Sequence, residues 1–252
     1  MKNVAVLLAG GSGHRMQTTK PKQFIRIAGR SILEHSIRAF SLNAAIDEIV
    51  VVGHADYLDR IRQIAAPYPK VRHIVPGGKE RYHSSLAAIS LYPSPLESTA
   101  DDEPAADDGS TAVNLLIHDA VRCLVSQRII TDTVEALKEH QAVEVAVPCT
   151  DTICEVDSNG CIVRIPDRST LRNVQTPQGF RLETIRKAYS TGLKDPNFVT
   201  TDDCGVVHRY LPDVPIHVVD GETTNIKITY PEDLVLAEKI LSAVKDADNA
   251  AD

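Results

Sequence analysis

Residues 4–23 read VAVLLAGGSGHRMQTTKPKQ. The apolar run Val4 to Leu8 has the pattern of a buried strand and leads directly into a glycine-rich turn. Cations follow at Arg15, Lys20 and Lys22. Glycines let backbone N–H groups approach an anion closely, and a turn lined with such amides cradles phosphate. Fixed positive charge beside it suits a site where negative charge develops on phosphorus. The alternative reading is a tight strand-to-helix turn with an exposed cationic surface. Spacing excludes two common phosphate loops. A dinucleotide fingerprint needs a third glycine where Met16 stands. A P-loop needs Lys-Ser or Lys-Thr after its last glycine, and here His14 and Arg15 follow Gly13.

The rest of the chain repeats the strand-to-helix pattern. Strands are expected at 48–52, 71–75, 113–117, 143–147 and 216–219. Helices are expected at 55–66, 84–91, 131–140 and 182–190, with another opened by Ser31-Ile32-Leu33-Glu34, which fits a capping box. Pro231-Glu232-Asp233 opens a last helix, because proline and acids suit a first turn. This alternation predicts an α/β fold, a Rossmann-like, mainly parallel sheet with helices on both faces. Residues 1–252 are expected to form a single domain.

Two stretches break the pattern. Residues 93–112 (PSPLESTADDEPAADDGSTA) hold six carboxylates and no Lys or Arg, nearly all of the net charge of −7. They predict a solvated, flexible loop. Residues 150–172 alternate around Ser158-Asn159-Gly160, a hairpin signal that predicts a protruding β-arm. Such an arm either pairs with another subunit or makes a local excursion at the sheet edge.

Composition narrows the function. A net charge of −7 argues against a nucleic-acid binder with a broad basic face. The five cysteines contain no C-x-x-C pair, which disfavours zinc and dithiol redox sites and fits a reducing, cytoplasmic compartment. The strand pattern begins at once, so no signal peptide is expected, and no apolar run approaches the ~20 residues of a membrane span. Neither a G-x-S-x-G elbow nor a Cys–His–Asn signature is present.

In a doubly wound sheet, ligands bind beyond the carboxyl ends of the strands. Those ends carry the glycine loop, Gly77-Gly78-Lys79-Glu80-Arg81, His118-Asp119-Ala120-Val121-Arg122, and Asp151-Thr152. Each residue has a second reading. Asp119 suits a cap, Arg81 and Arg122 suit surface charges, and Arg168 suits a solvated hairpin position. Lys227, between Ile226 and Ile228, suits the outer face of an edge strand. His118 reads as a packing residue, or one supporting the site from behind, rather than a metal ligand, because no His or Cys stands near it at ligand spacing.

Taken in order, several motifs carry a resemblance. They are Ala9-Gly10-Gly11-Ser12-Gly13-His14-Arg15-Met16 with Lys20-Pro21-Lys22-Gln23, then Gly77-Gly78-x-Glu80-Arg81-x-x-Ser84, then His118-Asp119-Ala120-x-Arg122. Asp151-Thr152, Asp167-Arg168, Gln175-Thr176-Pro177-Gln178 and Asn225-Ile226-Lys227-x-Thr229-x-Pro231-Glu232-Asp233-Leu234 follow. The loop resembles that of nucleotidyltransferases using a nucleoside triphosphate. The ordered set resembles the 2-C-methyl-D-erythritol 4-phosphate cytidylyltransferases of the non-mevalonate isoprenoid pathway.

That resemblance implies that CTP and the polyol phosphate give the CDP-alcohol and pyrophosphate, by in-line attack on the α-phosphorus with Mg²⁺ on the triphosphate. It implies that Arg15 and Lys22 stabilise the transition state and that Arg168 and Lys227 position the attacking phosphate. Ala9, Gly10, Gly11, Gly78 and Ser84 are then nucleotide contacts. Asp119, Ala120, Arg122, Thr152 and Thr176 fall on the second-substrate side, with Asp119 also a candidate metal contact. The resemblance further implies a homodimer in which the arm's Thr152 and Arg168 act on the neighbour's site.

The chain departs from the family at Leu8-Ala9-Gly10-Gly11, where Pro-Ala-Ala-Gly is usual, at His83 for aspartate and at Cys123 for proline. The acidic 93–112 stretch is also longer than the family leads one to expect. A cytidylyltransferase for another polyol phosphate, such as ribitol 5-phosphate, is the near alternative. A non-catalytic nucleotide sensor is the more distant one.

Overall fold

The computed structural model describes residues 1–11, 21–92 and 112–250, with side chains through Ala243. The predicted glycine-loop residues 12–20, among them Arg15 and Lys20, lie outside the described residues, as does the acidic stretch up to Thr111.

Strand β1 (Lys2–Ala9) comes first, and a short ribbon of β2 (Arg26–Ile27) and β3 (Arg30–Ser31) follows. Next come α1 (Ile32–Leu42), β4 (Glu48–Gly53), α2 (Leu58–Ala65), β5 (Val71–Pro76), α3 (Arg81–Ile89), β6 (Val113–Asp119), α4 (Gln127–Glu139) and β7 (Ala142–Pro148). A hairpin of β8 (Glu155–Val156) and β9 (Ile162–Arg164) precedes β10 (Arg172–Arg181). The chain continues through α5 (Leu182–Gly192), α6 (Asp203–Tyr210), β11 (Ile216–Asp220) and α7 (Pro231–Ala250).

Seven strands form one sheet in the order β11-β7-β10-β6-β1-β4-β5. All neighbours are parallel except β10, which runs antiparallel to both β6 and β7. The mainly parallel α/β fold predicted above is therefore what forms. Alternate side chains of β1 serve opposite faces, as a period of two requires. Ala5, Leu7 and Ala9 pack with Leu33, Ile37 and Phe40 of α1 and with Ile129, Val134 and Leu137 of α4. Val4 and Val6 pack with Ala88 and Ile89 of α3, Ile185 of α5 and Val206 of α6. A third cluster joins Ile27, Ile32, Val121, Ile228 and Ala237, and so seats α7 against the β2–β3 ribbon.

Helix starts show where local chemistry overrides periodicity. The Ser31 hydroxyl caps α1 by accepting from Glu34 N at 3.2 Å, as predicted. Helix α4 begins at Gln127, ahead of the expected residue 131, because Ser126 Oγ accepts from Ile129 N at 3.2 Å. Helix α3 begins at Arg81 rather than Ser84, with Glu80 N donating to His83 Nδ1 at 3.1 Å. Strand β10 was not predicted, because Pro177 interrupts its pattern. Its register shifts between Val174 and Gln178, and that irregularity accommodates a residue without an N–H donor.

The arm leaves the sheet between β7 and β10, at the edge where the parallel strands end. The Ser158-Asn159-Gly160 turn closes the hairpin, with Gly160 at φ 80°, and Glu155 pairs with Arg164 at 2.9 Å. Among the described residues, no helix is long and apolar enough to cross a membrane.

Candidate active site

The carboxyl ends of β1, β5 and β6 open onto a cleft of about 360 Å³. Its walls include Ala9, Gly10 and Gly11 after β1, Gly78 to Arg81 and Ser84 after β5, and Asp119 at the end of β6. Lys22, Gln23, Lys227 and Thr229 complete them. Eight of the predicted site residues thus meet in one cleft: Ala9, Gly10, Gly11, Lys22, Gly78, Ser84, Asp119 and Lys227.

The second glycine turn packs tightly against α3. A Cβ on Gly77 would lie 2.4 Å from Ser84 Oγ, and one on Gly78 would lie 2.4 Å from His83 Cβ. Only glycine lets this turn sit against the first turn of α3. Gln23 Nε2 donates to Ala9 O at 2.9 Å and ties the segment after the loop to the end of β1. Lys22 is only 9% exposed, and its Nζ donates to Ile228 O at 3.0 Å. This contact joins two segments some two hundred residues apart at the cleft wall.

Asp119 lies between two cations. Lys227 Nζ reaches Oδ2 at 2.7 Å, and Arg81 Nε reaches Oδ1 at 3.3 Å. Burial alone would raise the Asp119 pKa. The charges of Arg81, Lys227 and Arg122 outweigh burial and hold it well below the usual carboxylate range. Arg81 also binds the fully buried Asp203. Burial opposes the Arg81 charge, but Asp203 and Asp119 hold its pKa above the ordinary value. Tyr189 OH donates to Asp203 Oδ1 at 2.6 Å, and Asp203 N donates to Gln178 Oε1 at 3.1 Å.

The other predicted residues stand elsewhere. Ala120 is fully buried, and its carbonyl accepts from Ser36 Oγ at 2.8 Å. Thr176 lies beneath the end of β6, where its hydroxyl accepts from Asp119 N at 3.1 Å and faces His118 Nδ1 at 3.0 Å. His118 Nε2 meets Arg122 O at 3.1 Å, and burial lowers its pKa to about 4, so the ring is neutral at physiological pH. Through these two contacts it braces the end of β6 and the segment after it. Arg122 donates to Asn225 O at 2.9 Å and Val174 O at 3.3 Å, which fixes the segment leading to Lys227. Thr152 and Arg168 are exposed on the arm, outside the cleft wall of their own chain. Arg168 Nη1 donates to Thr150 O at 3.1 Å.

The sequence reading left Arg81, Lys79, Gln23 and Thr229 without a site role. Arg81 had a signal, because it falls inside the second glycine motif. Asp203 had none, since its partners come from α3, α5 and β10. Lys227 does not lie on an edge strand. Its segment is irregular, and the lysine turns toward Asp119.

Behind Arg81, the Glu144 carboxyl of β7 accepts from Gln178 Nε2 at 2.8 Å. Burial, reinforced by the charge of Asp202, raises its pKa to about 7 from 4.5. The native state therefore holds a proton that the unfolded chain releases between those values, and stability falls as pH rises through that window. Glu144→Gln is expected to match the parent near pH 4.5 and to exceed it by on the order of 3 kcal/mol at pH 8. Urea unfolding of both chains at the two pH values measures this.

Four cations (Lys22, Lys79, Arg81, Lys227) against two carboxylates (Glu80, Asp119) line the described cleft, between two glycine turns at strand ends. This excess of positive charge suits a polyanionic ligand. Among the described residues, no group of three or more His, Cys, Asp or Glu stands ready to hold a metal ion.

Comparison with known proteins gives the same answer over the whole chain. A family model described as 2-C-methyl-D-erythritol 4-phosphate cytidylyltransferase matches residues 3–243. The enzyme of that name from Thermobifida fusca is 48% identical over 94% of this chain and 92% of its own. A bifunctional ribulose 5-phosphate reductase/CDP-ribitol pyrophosphorylase from Haemophilus influenzae is 39% identical over 96% of this chain and 48% of its own. The crystal structure of 4-diphosphocytidyl-2C-methyl-D-erythritol synthase from Anaerococcus prevotii superimposes with a TM-score of 0.79, at 30% identity and 96% coverage of both chains. With a cationic cleft at its strand ends and a family match over residues 3–243, the chain belongs to the 2-C-methyl-D-erythritol 4-phosphate cytidylyltransferase family.

Proposed function

We propose that this chain transfers the cytidylyl group of CTP to 2-C-methyl-D-erythritol 4-phosphate, with release of pyrophosphate. The observation that carries this reading is the cationic cleft between the two glycine turns, in a chain of this family. A phosphate oxygen of the polyol phosphate forms a bond to the α-phosphorus of CTP as the bond to the β-phosphate oxygen breaks. The attacking phosphate is already ionised, so no side-chain base is needed. Catalysis is then positioning and cationic stabilisation of charge on the transferring and leaving phosphates.

Lys22, with Arg15, stabilises that charge. Ala9, Gly10, Gly11, Gly78 and Ser84 border the nucleotide. Lys227 brings in the second anion, and Asp119 faces the polyol. Ala120, Arg122 and Thr176 serve the same side by holding the backbone around Asp119 and Lys227. Mg²⁺ carried by the triphosphate would offset its negative charge during the transfer. Both Asp119 oxygens already face cations, so the carboxylate is poor company for a resident ion.

Thr152 and Arg168 act on the cleft of a second copy in a homodimer. The arm's exposed Ile153, Val156, Ile162, Val163 and Ile165 support this, because apolar side chains concentrated on a protruding hairpin favour burial against a partner. The five free thiols fit a reducing, cytoplasmic setting.

Pyrophosphate release from CTP is expected on adding the methylerythritol phosphate, at least about tenfold more efficiently than with ribitol 5-phosphate. Ribitol 5-phosphate lacks the branch methyl and has a longer chain, and a methyl-sized misfit in a fitted pocket is worth about that factor or more. The Haemophilus relative favours ribitol 5-phosphate as the second reading, and the reverse preference would establish it. No release with either substrate would leave a nucleotide sensor. Sedimentation of the intact chain against an arm-deleted one tests the dimer.

A further inference from the structure

Arg81 faces the cleft from the first turn of α3, yet its guanidinium is committed at two points. Nε meets Asp119 Oδ1 at 3.3 Å, and Nη1 meets Asp203 Oδ2. Asp203 is completely buried, and Tyr189 OH holds its other oxygen at 2.6 Å. Gln178 of β10 receives its backbone N–H at 3.1 Å. One end of the fork is thus anchored in the core by three separate elements. Lys227, the other cation on Asp119, is differently placed. Its side chain is 41% exposed, against 27% for Arg81 and none for Asp203, and it stands on an irregular segment.

An incoming phosphate competes with Asp119 for Lys227, and a flexible exposed ammonium can follow it. Asp119 would then face two anionic substrates unless a second cation stays with it. Arg81 is the cation built to stay. We propose that Arg81 is a positioning residue: anchored on Asp203, it keeps Asp119 oriented as a hydrogen-bond acceptor for the polyol hydroxyls while Lys227 moves to the phosphate. This rests on the reading above that the second substrate is a polyol phosphate bound beside Lys227.

The geometry distinguishes Arg81 from a generic surface charge. A planar fork reaches two carboxylates in fixed directions, and a lysine at the same place reaches one of them. Arg81→Lys keeps the charge and a partner for Asp203, so the buried carboxylate is not stranded. Tyr189→Phe removes only the hydroxyl that orients Asp203, and Tyr189 does not line the substrate cleft. Both are purified as full-length chains and checked by thermal unfolding. KM for CTP and KM for the polyol phosphate are then measured separately from pyrophosphate release.

Arg81→Lys is expected to raise KM for the polyol phosphate about tenfold, the cost of about one charge-assisted hydrogen bond. KM for CTP should change far less. Tyr189→Phe should move the same KM in the same direction, by about twofold to threefold. In an Asp119→Asn background, Arg81→Lys should add little, because the two residues act through one contact. A merely structural role would change both KM values together with the unfolding temperature. An unchanged polyol-phosphate KM in Arg81→Lys, or full additivity with Asp119→Asn, overturns the proposal. Absence of turnover in the unsubstituted chain overturns the functional reading itself, and this inference with it.

Discussion

Lys22→Ala is expected to lower kcat by a hundredfold or more while the protein still folds. Lys22 sits in a short turn after Pro21, so its side chain reaches the cleft wall at a point set by the backbone rather than by a mobile loop. Its Nζ holds the Ile228 carbonyl at 3.0 Å, and at 9% exposure the charge works where water screens it poorly. The leaving pyrophosphate gains negative charge only as the bond breaks. A cation fixed beside it therefore acts mainly on the transition state and appears in kcat. Losing one such preorganised group costs about 2.7–4 kcal/mol in comparable sites, a factor of a hundred to a thousand. The measurement is steady-state pyrophosphate release, with circular dichroism confirming the fold. Near-normal turnover would remove Lys22 from the mechanism.

Lys227→Ala is expected to act on the other substrate. Its ammonium lies 2.7 Å from Asp119 and close to Thr229 in the same wall. Under the proposed function, removing it takes away the cation assigned to the second phosphate. It also leaves Asp119 with Arg81 as its remaining direct ion pair among the described residues. A charged hydrogen bond of this kind is worth up to about 3 kcal/mol, so kcat/KM for the polyol phosphate should fall roughly a hundredfold. KM for CTP should stay close to the parent value. If the loss falls equally on both substrates, Lys227 supports the cleft as a whole rather than the incoming phosphate.

The two lysines were legible in the sequence for different reasons. Lys22 follows a glycine turn at the end of an apolar strand, and both features are local. Lys227 appeared only as a member of an ordered set of motifs, and by pattern alone it read equally well as an outward residue of an edge strand. Its role depends on Asp119, which belongs to a different element, and the contact between them comes from three-dimensional packing. Arg81 shows the same limit. Pattern allowed a surface charge, whereas folding brings Asp203 from the start of α6 and Tyr189 from α5 beneath it. Strand β10 was missed because Pro177 erases the alternation that marks a strand, and only the neighbouring strands reveal how the register recovers.

By itself, the sequence determined the α/β class, the alternation that seats helices on both faces, the glycine turns at the strand ends and the arm between β7 and β10. These follow from periodicity, turn chemistry and short-range capping, which are properties of neighbouring residues. Tertiary structure alone decided that Asp119 is shared between Arg81 and Lys227, that Glu144 is buried enough to hold a proton near neutrality, and that Thr176 and Arg122 support the cleft from behind. Those outcomes depend on which charges meet after the sheet has assembled, and on how much water is excluded around them. The strength of a charge–charge contact is set by distance and surroundings, neither of which is written in sequence spacing.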